Sequence, residues 1–462
     1  MITVVSKAQY NKIFDFTGAN GQFPACNLIT DGTYLYGMTG GGGANNTWPS
    51  CWDVLGGCGT IFKIKPDGTG FVKLFDFDGP TTGANPQGAL FSDGTFLYGT
   101  TLKGGTSGNG TIFKIKPDGT GFLKLFDFDG TNGGASYGSL ISDSTYLYGM
   151  TSMGGASNKG AIFKIKPDGT NYSIIHDCDS INGCYPQGDL FFDGTFLYGM
   201  MGQGGSNNSG AAFKLKPDGT SYSKLLDFSG TNGKNPFYNS LIFDGTFLFG
   251  MTGAGGVNNM GTIFKIKPDG TGYSKLYDFS GVSDGNNPTS TLTFNGSFLY
   301  GTTIIGGLNN KGVIFKIEPD GTNYSKLVDL DGTTNGSNAV SGSVVFDSTS
   351  FYGMTNSGGL NNDGIVYSYS VGSSTGIVSN DLETRISMYP NPTKDYLTVV
   401  FPNKQSRTKI NIIDVLGKEI KSINVTGNQL IIETNELKAG IYFMEIIEEG
   451  KNFISKKIII EK

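Results

Sequence analysis

Seven aspartates recur at one place in this chain: Asp15, Asp76, Asp127, Asp177, Asp227, Asp278 and Asp329 each close a short apolar segment. Four are followed two positions on by a second carboxylate, at Asp78, Asp129, Asp179 and Asp331. Alternation along an extended strand sends residues two apart to the same side. Asp76 with Asp78, Asp127 with Asp129 and Asp329 with Asp331 are therefore candidate Ca²⁺ ligands, with nearby carbonyls completing the shell. The alternative is that each aspartate caps a turn by accepting backbone N–H bonds. A second set of polar groups sits in Gly-Gly-x-Asn-Asn-x-Gly segments at 204–210, 255–261, 306–312 and 358–364. Asn207, Asn258, Asn309 and Asn361 could hydrogen-bond sugar hydroxyls, or the asparagines could serve a turn that needs positive φ.

Both tryptophans fall in one enlarged segment, Asn45 to Cys58. Trp48 and Trp52, pinned by a Cys51–Cys58 disulfide, would make a stacking platform for a sugar ring. Alternatively the indoles cover the disulfide and plug one end of a channel. Cys178 and Cys184 bracket another loop and form a second candidate disulfide, leaving Cys26 unpaired. Paired cysteines in loops of a β-rich chain favour an oxidising compartment.

Catalytic constellations are sparse. The single histidine, His176, occupies a position that is Phe, Leu, Tyr or Val elsewhere in the chain, so it reads as a packed strand residue. Before the linker there is one glutamate, Glu318, at a turn position that is lysine elsewhere. Glycoside hydrolysis ordinarily uses two distinct carboxylates, and no aspartate stands apart from its repeats. A polysaccharide-degrading enzyme on rim aspartates remains the alternative to a non-catalytic binding module, and a purely structural surface role is the third.

These residues are carried by a repeat. Phe-Lys-Ile-Lys-Pro-Asp-Gly-Thr begins at Phe62, Phe113, Phe163 and Phe264, is altered at Phe213 and Phe315, and is worn at Tyr367. Each unit, about 50 residues long, holds four strand signals, two of its joints being Asp-Gly turns. In one unit these are 89–92, 96–99, 111–116 and 122–128. Lys12 to Phe16 is a fourth strand without the preceding three, and Ser343 to Tyr369 supplies three without a fourth. The expectation is an all-β, seven-bladed propeller whose N-terminal strand completes the last blade. Its tight turns share one rim, so the long loops share the other, where binding residues concentrate.

Composition agrees. The 73 glycines of 462 residues sit at fixed turn and strand positions. A net charge of −5 and the absence of arginine before Arg385 argue against nucleic acid as a partner. No apolar run is long enough to span a bilayer as a helix. The expected domains are a propeller over 1–371, a Ser/Gly-rich linker over 372–387 and a small β-sandwich over 388–462.

The C-terminal part carries Tyr389-Pro390-Asn391-Pro392, then Asp414 with Gly417, then Gly440 with Tyr442, and a terminal strand with Lys456-Lys457. In that order these motifs resemble the type A sorting domain of the type IX secretion system. The resemblance implies a Bacteroidetes-type bacterium, passage through the periplasm, and release from or anchoring to the outer surface by the type IX machinery. Such cargo normally carries an export signal peptide, and Met1 to Lys7 is too short and polar to be one. The repeats, with Asp-Gly-Thr, Leu-Tyr-Gly and Gly-Thr-Ile-Phe-Lys-Ile, resemble the GloVer-type tandem repeat, which implies surface exposure and no settled activity. The functional expectation is a secreted or surface-anchored binding module for an extracellular glycan or surface protein.

Overall fold

The computed structural model describes residues 9–45, 51, 56–339, 343–347, 349–371, 387–389, 393–400, 408–414, 419–425, 429–448 and 451–460. These fall in two compact units, one within Ala8–Gly372 and one within Ser373–Lys462.

The first unit contains seven four-stranded antiparallel sheets. In blade 2 the strands are Phe91–Ser92, Leu97–Thr100, Thr111–Ile115 and Leu123–Asp127, paired in sequence order. Blade 1 spans Ile29–Asp76, and blades 3 to 6 repeat the arrangement through Asp329. Blade 7 takes three strands from the C-terminal side and its fourth from Gln9–Asp15, which pairs with Ile365–Ser370. Blade 7 also packs on blade 1, with Tyr352, Met354 and Val366 in one apolar cluster with Leu35, Tyr36 and Ile61. The chain thus closes as a seven-bladed ring without a free sheet edge between its ends.

Blades are held face to face by residues the repeat fixes. Phe62, Phe113, Phe163, Phe213, Phe264 and Phe315 on the third strands are completely buried. Opposite each lies the glycine of the Tyr-Gly (or Phe-Gly) pair, because there is no room for a side chain: a Cβ on Gly99 would lie 2.5 Å from Phe113 Cζ. On the outer side, an aromatic of one blade stacks on the next, as in Phe75–Phe122 at 4.0 Å and Phe126–Tyr172 at 3.9 Å. His176 takes this place against Tyr222, at 4.0 Å and 6° between planes, as a packed strand residue should. Burial holds its pKa below the ordinary histidine value.

The third strands correct the simplest reading of their alternation. Apolar and lysine positions alternate as in a half-exposed strand, yet these strands are covered on both faces. Lys114 lies half-buried over the Phe96 ring, 4.8 Å from its centroid, and donates to the Pro167 carbonyl of the next blade at 3.0 Å. Its aliphatic stem covers apolar surface while the ammonium reaches a blade-to-blade bond. Lys63, Lys164, Lys214 and Lys265 do the same.

The second unit is a two-sheet sandwich. Ser387–Tyr389, Tyr396–Val400 and Gln429–Glu433 form one sheet. Glu419–Val425, Thr408–Asp414, Gly440–Glu448 and Lys451–Ile460 form the other. Leu397, Val399 and Ile432 from the first meet Ile410, Ile412, Met444, Ile446 and Ile458 from the second in one core.

Two outcomes follow from these contacts. Gly99→Ala should lower stability by about 1–3 kcal/mol in urea titration, because the added methyl must displace the Phe113 ring. The tight turns set the acid limit. Burial acts to raise the pKa of Asp93, but bonds from the Phe96 and Thr95 N–H groups and the Tyr98 hydroxyl outweigh it and leave the pKa lowered. Asp31, Asp143 and Asp347 are lowered likewise. A carboxylate whose folded pKa lies below its unfolded value, about 3.9, contributes stability that is complete above that pH. It is lost as pH falls through the folded value. The melting temperature should hold to about pH 5 and fall below about pH 4.

Candidate functional site

The repeated polar residues are consumed by the scaffold. Asp127 Oδ1 accepts the Thr106 N–H of the two-to-three loop at 3.0 Å, and its other oxygen pairs with Lys124 at 2.6 Å. Asp76 and Asp329 hold Ala44 and Leu308 N–H in the same way, paired with Lys73 and Lys326. Asp78, Asp129 and Asp331 each close their own turn on two or three backbone N–H groups. These bonds hold their pKa values below the ordinary carboxylate range, although burial opposes this at Asp78 and Asp331. Each pair is thus split between two backbone tasks, one carboxylate tying down the two-to-three loop and the other closing its own turn. Among the described residues no three His, Cys, Asp or Glu side chains gather around a common point.

The asparagines are likewise spent. Asn207, Asn258, Asn309 and Asn361 donate through Nδ2 to the carbonyls of Phe228, Phe279, Leu330 and Phe16, at 2.8–3.2 Å. Their neighbours Asn208, Asn259, Asn310 and Asn362 hold positive φ of 51–60° and accept the N–H of the loop's first glycine. One asparagine staples the loop down and the next makes it turn.

Cys51 and Cys58 are disulfide-bonded, with Cα atoms 4.7 Å apart. Trp48 and Trp52 lie outside the described residues. Cys178 and Cys184 are free buried thiols rather than the expected pair. Cys178 turns into the apolar layer between blades 3 and 4, where its sulfur lies 3.8 Å from Met201 Sδ, in place of the phenylalanine or leucine of other blades. Cys26 is also free and buried, its thiol pushed up to about 12 by burial. In the sandwich, Pro390, Asn391, Pro392 and Gly417 lie outside the described residues. Tyr389, Asp414, Lys456 and Lys457 stand on its strands. Gly440 opens the strand carrying Tyr442, whose hydroxyl donates to the Lys438 carbonyl at 3.2 Å.

What the repeat leaves free converges on the propeller axis. A cavity there is lined by residues of six blades, among them Asn27, Gln87, Tyr137, Gln187, Asp189 and Tyr238. All lie where the four-to-one loop enters the first strand, which places the cavity toward the long-loop end of the axis. Around it, at four of the blade junctions, one blade's backbone is held by the next blade's side chain to make a collar. The Ala89 N–H donates to Ser139 Oγ at 2.8 Å, the Ser139 N–H to Asp189 Oδ1 at 2.6 Å, and the Asp189 N–H to Ser240 Oγ at 2.7 Å. Ser343 N–H closes the same relation on Asn27. Gly88, Gly138 and Gly188 let the blades approach, since a Cβ on Gly138 would lie 2.2 Å from the Gly188 carbonyl oxygen.

Two tyrosines break this symmetry. Tyr137 of blade 3 and Tyr238 of blade 5 reach past blade 4 and meet edge to face, with centroids 5.5 Å apart. Tyr238 holds a φ of 60°, a costly conformation for a bulky side chain. Blade 5 carries one more residue than blade 4 between its proline and the first-strand leucine, Pro236 to Leu241 against Pro186 to Leu190. That extra residue carries Tyr238 over the axis. Burial raises the pKa of both phenols, to about 12 at Tyr238, so both are neutral donors at physiological pH.

Residues 52–201 and 192–391 match the Gloeobacter/Verrucomicrobia repeat, which covers most of the chain. The chain belongs to that repeat family. Residues 387–461 match the secretion system C-terminal sorting domain, which makes this a secreted Bacteroidetes surface protein exported by the type IX system. Among the described residues no helix is long and apolar enough to cross a membrane. Among solved structures, the extracellular domain of a hybrid two component system from B. thetaiotaomicron aligns over 99% of this chain and 60% of its own. Its TM-score is 0.51 at 13% identity, a likeness of fold alone. PorZ of Porphyromonas gingivalis, a bacterial surface component of the type-IX secretion system, aligns with TM-score 0.48 and 13% identity over 97% of this chain and 60% of its own. An endo-acting ulvan lyase from Formosa agariphila is 30% identical over 81 residues, 17% of this chain and 16% of that protein. The chain thus spans about three fifths of those two structures and a small part of the lyase.

Asn309→Ala should cost about 1 kcal/mol in denaturant titration by leaving the Leu330 carbonyl without its donor. Added Ca²⁺ or EDTA should leave the melting temperature of the unmodified chain where it is.

Proposed function

We propose that the propeller of this Gloeobacter/Verrucomicrobia repeat protein is a non-catalytic glycan-binding module displayed at the cell surface. The observation that carries this reading is the mouth of the axial cavity, whose free volume of about 10 Å³ admits one small group of a ligand that rests on the rim. Two neutral tyrosines offer aromatic surface and hydroxyl donors, while Gln87, Gln187 and Asn27 offer amides. Such a mixture of aromatic surface and directed hydrogen bonds suits a sugar ring, which has apolar C–H faces and a hydroxyl rim. Tyr238 supports it further, because it holds a costly positive φ where it meets Tyr137 over the axis.

The non-catalytic part rests on the cavity's acid–base content. Among the described residues Asp189 is its single carboxylate, and one of its oxygens already accepts the Ser139 N–H. Two carboxylates of separated pKa, as glycoside cleavage ordinarily uses, are not available there. The tryptophan loop remains a second candidate contact.

The test is a glycan array probed with the full chain and with two double variants. Tyr137→Ala with Tyr238→Ala should abolish a hit, whereas Trp48→Ala with Trp52→Ala should leave at least part of it. The reverse pattern would move the site to the disulfide loop. Release of shortened sugar from any bound polysaccharide would overturn the non-catalytic reading. Silence across the array would overturn the glycan reading.

A further inference from the structure

The repeat supplies its own internal comparison at the axis. The residue preceding the first-strand aliphatic is Asn27, Ala89, Ser139, Asp189, Ser240, Thr291 and Ser343 in blades 1 to 7. Only blade 4 places a charge there. A serine would serve the collar equally well, as Ser139 and Ser240 do on either side, so the carboxylate is not needed to hold the blades. Nor is it neutralised: among the described residues the ion pairs are all between a fourth-strand lysine and aspartate, and no lysine or arginine lines the axial cavity. Its Oδ1 accepts the Ser139 N–H, and among the described residues no donor meets its Oδ2, which leaves one carboxylate oxygen for a cationic ligand. The two tyrosines lie in the same cavity, and a ring face near a carboxylate favours an ammonium. The crossing of Tyr137 and Tyr238 also narrows the axis, so a ligand enters by a small group.

We propose that the axial cavity selects an amino sugar, with the 2-ammonium of a glucosamine-type residue held by Asp189 and the rings of Tyr137 and Tyr238, and that it disfavours uronate and sulfated chains. This rests on the glycan reading above and names the charge class that the same cavity takes. An anionic polysaccharide would set its negative groups against Asp189 with no compensating cation. A neutral N-acetylated residue would keep the stacking and amide contacts and lose the charge pairing.

Three pentasaccharides separate these cases in calorimetric titrations of the full chain at pH 6, where a glucosamine oligomer is largely protonated: (GlcN)₅, (GlcNAc)₅ and (GalA)₅. The expected order is (GlcN)₅ about ten-fold tighter than (GlcNAc)₅, with (GalA)₅ weakest. Asp189→Asn retains an oxygen to accept the Ser139 N–H, so the collar survives. It should bring (GlcN)₅ and (GlcNAc)₅ to within about two-fold of each other. In the unmodified chain, (GlcN)₅ affinity should fall with added salt while (GlcNAc)₅ affinity does not, a check that needs no variant. Equal affinities for (GlcN)₅ and (GlcNAc)₅, tighter (GalA)₅ binding, or a (GlcN)₅ preference that persists in Asp189→Asn would each overturn the proposal and leave the glycan module standing. Failure of all three to bind, alongside hits for other neutral glycans, would also overturn it. Failure of every glycan would remove both readings together.

Discussion

A blade of this protein cannot exist alone. Its second and third strands are apolar on both faces, so each sheet is stable only between two others. The contact that satisfies this condition is repeated around the ring. Within a blade a third-strand phenylalanine lies over a second-strand glycine; between blades an aromatic stacks across and a lysine reaches the next blade's turn carbonyl. Closure follows from the same need. The last sheet would present a bare edge without the Gln9–Asp15 strand, and a bare face without blade 1.

That demand explains which parts of the molecule were legible in the sequence. The period, the Asp-Gly turns and the unmatched strands at either end fix the number of blades and their manner of closure, because repetition copies the same packing problem seven times. Burial was less legible. The alternation Ile112-Phe113-Lys114-Ile115 looks half-exposed, and only face-to-face stacking shows that Lys114 lies between an aromatic ring and a neighbouring carbonyl. The same physics misdirects a search for chemistry. Asp127 and Asn309 recur because every blade must tie its long loop to its outer strand, a backbone requirement that a residue pattern cannot distinguish from ligand binding. The cysteines show the limit of spacing as a guide: Cys51 and Cys58 pair, while Cys178 faces Met201 of the next blade.

The axial residues were missed for a related reason. Tyr137, Asp189 and Tyr238 are far apart in sequence, and none belongs to a motif. Each is ordinary within its own blade, and their significance arises only when the ring brings six entry segments to one axis. A signal was nonetheless present. With the units aligned on the first-strand aliphatic, Asp189 is the one charge at its position, and blade 5 has a residue to spare before Leu241. In a repeat protein the residue that departs from its own copies carries more information than the residue that agrees with them.

The division of labour between the two units follows from what each must do. The C-terminal sandwich has its own core, built from Leu397, Val399, Ile410, Ile412 and their partners, and so can serve as an address independent of the cargo. The propeller is free of that task and spends its polar side chains almost wholly on turns and blade junctions. Its surface chemistry is therefore concentrated where the repeat has least use for a particular residue. On the rim, Asp and Asn are fixed by the loops they close. At the axis the collar asks only for a hydroxyl or an equivalent acceptor, and Ser139, Asp189 and Ser240 all satisfy it. A position that accepts several side chains at no cost to the ring is the one where a charge and a pair of aromatics can be introduced for recognition.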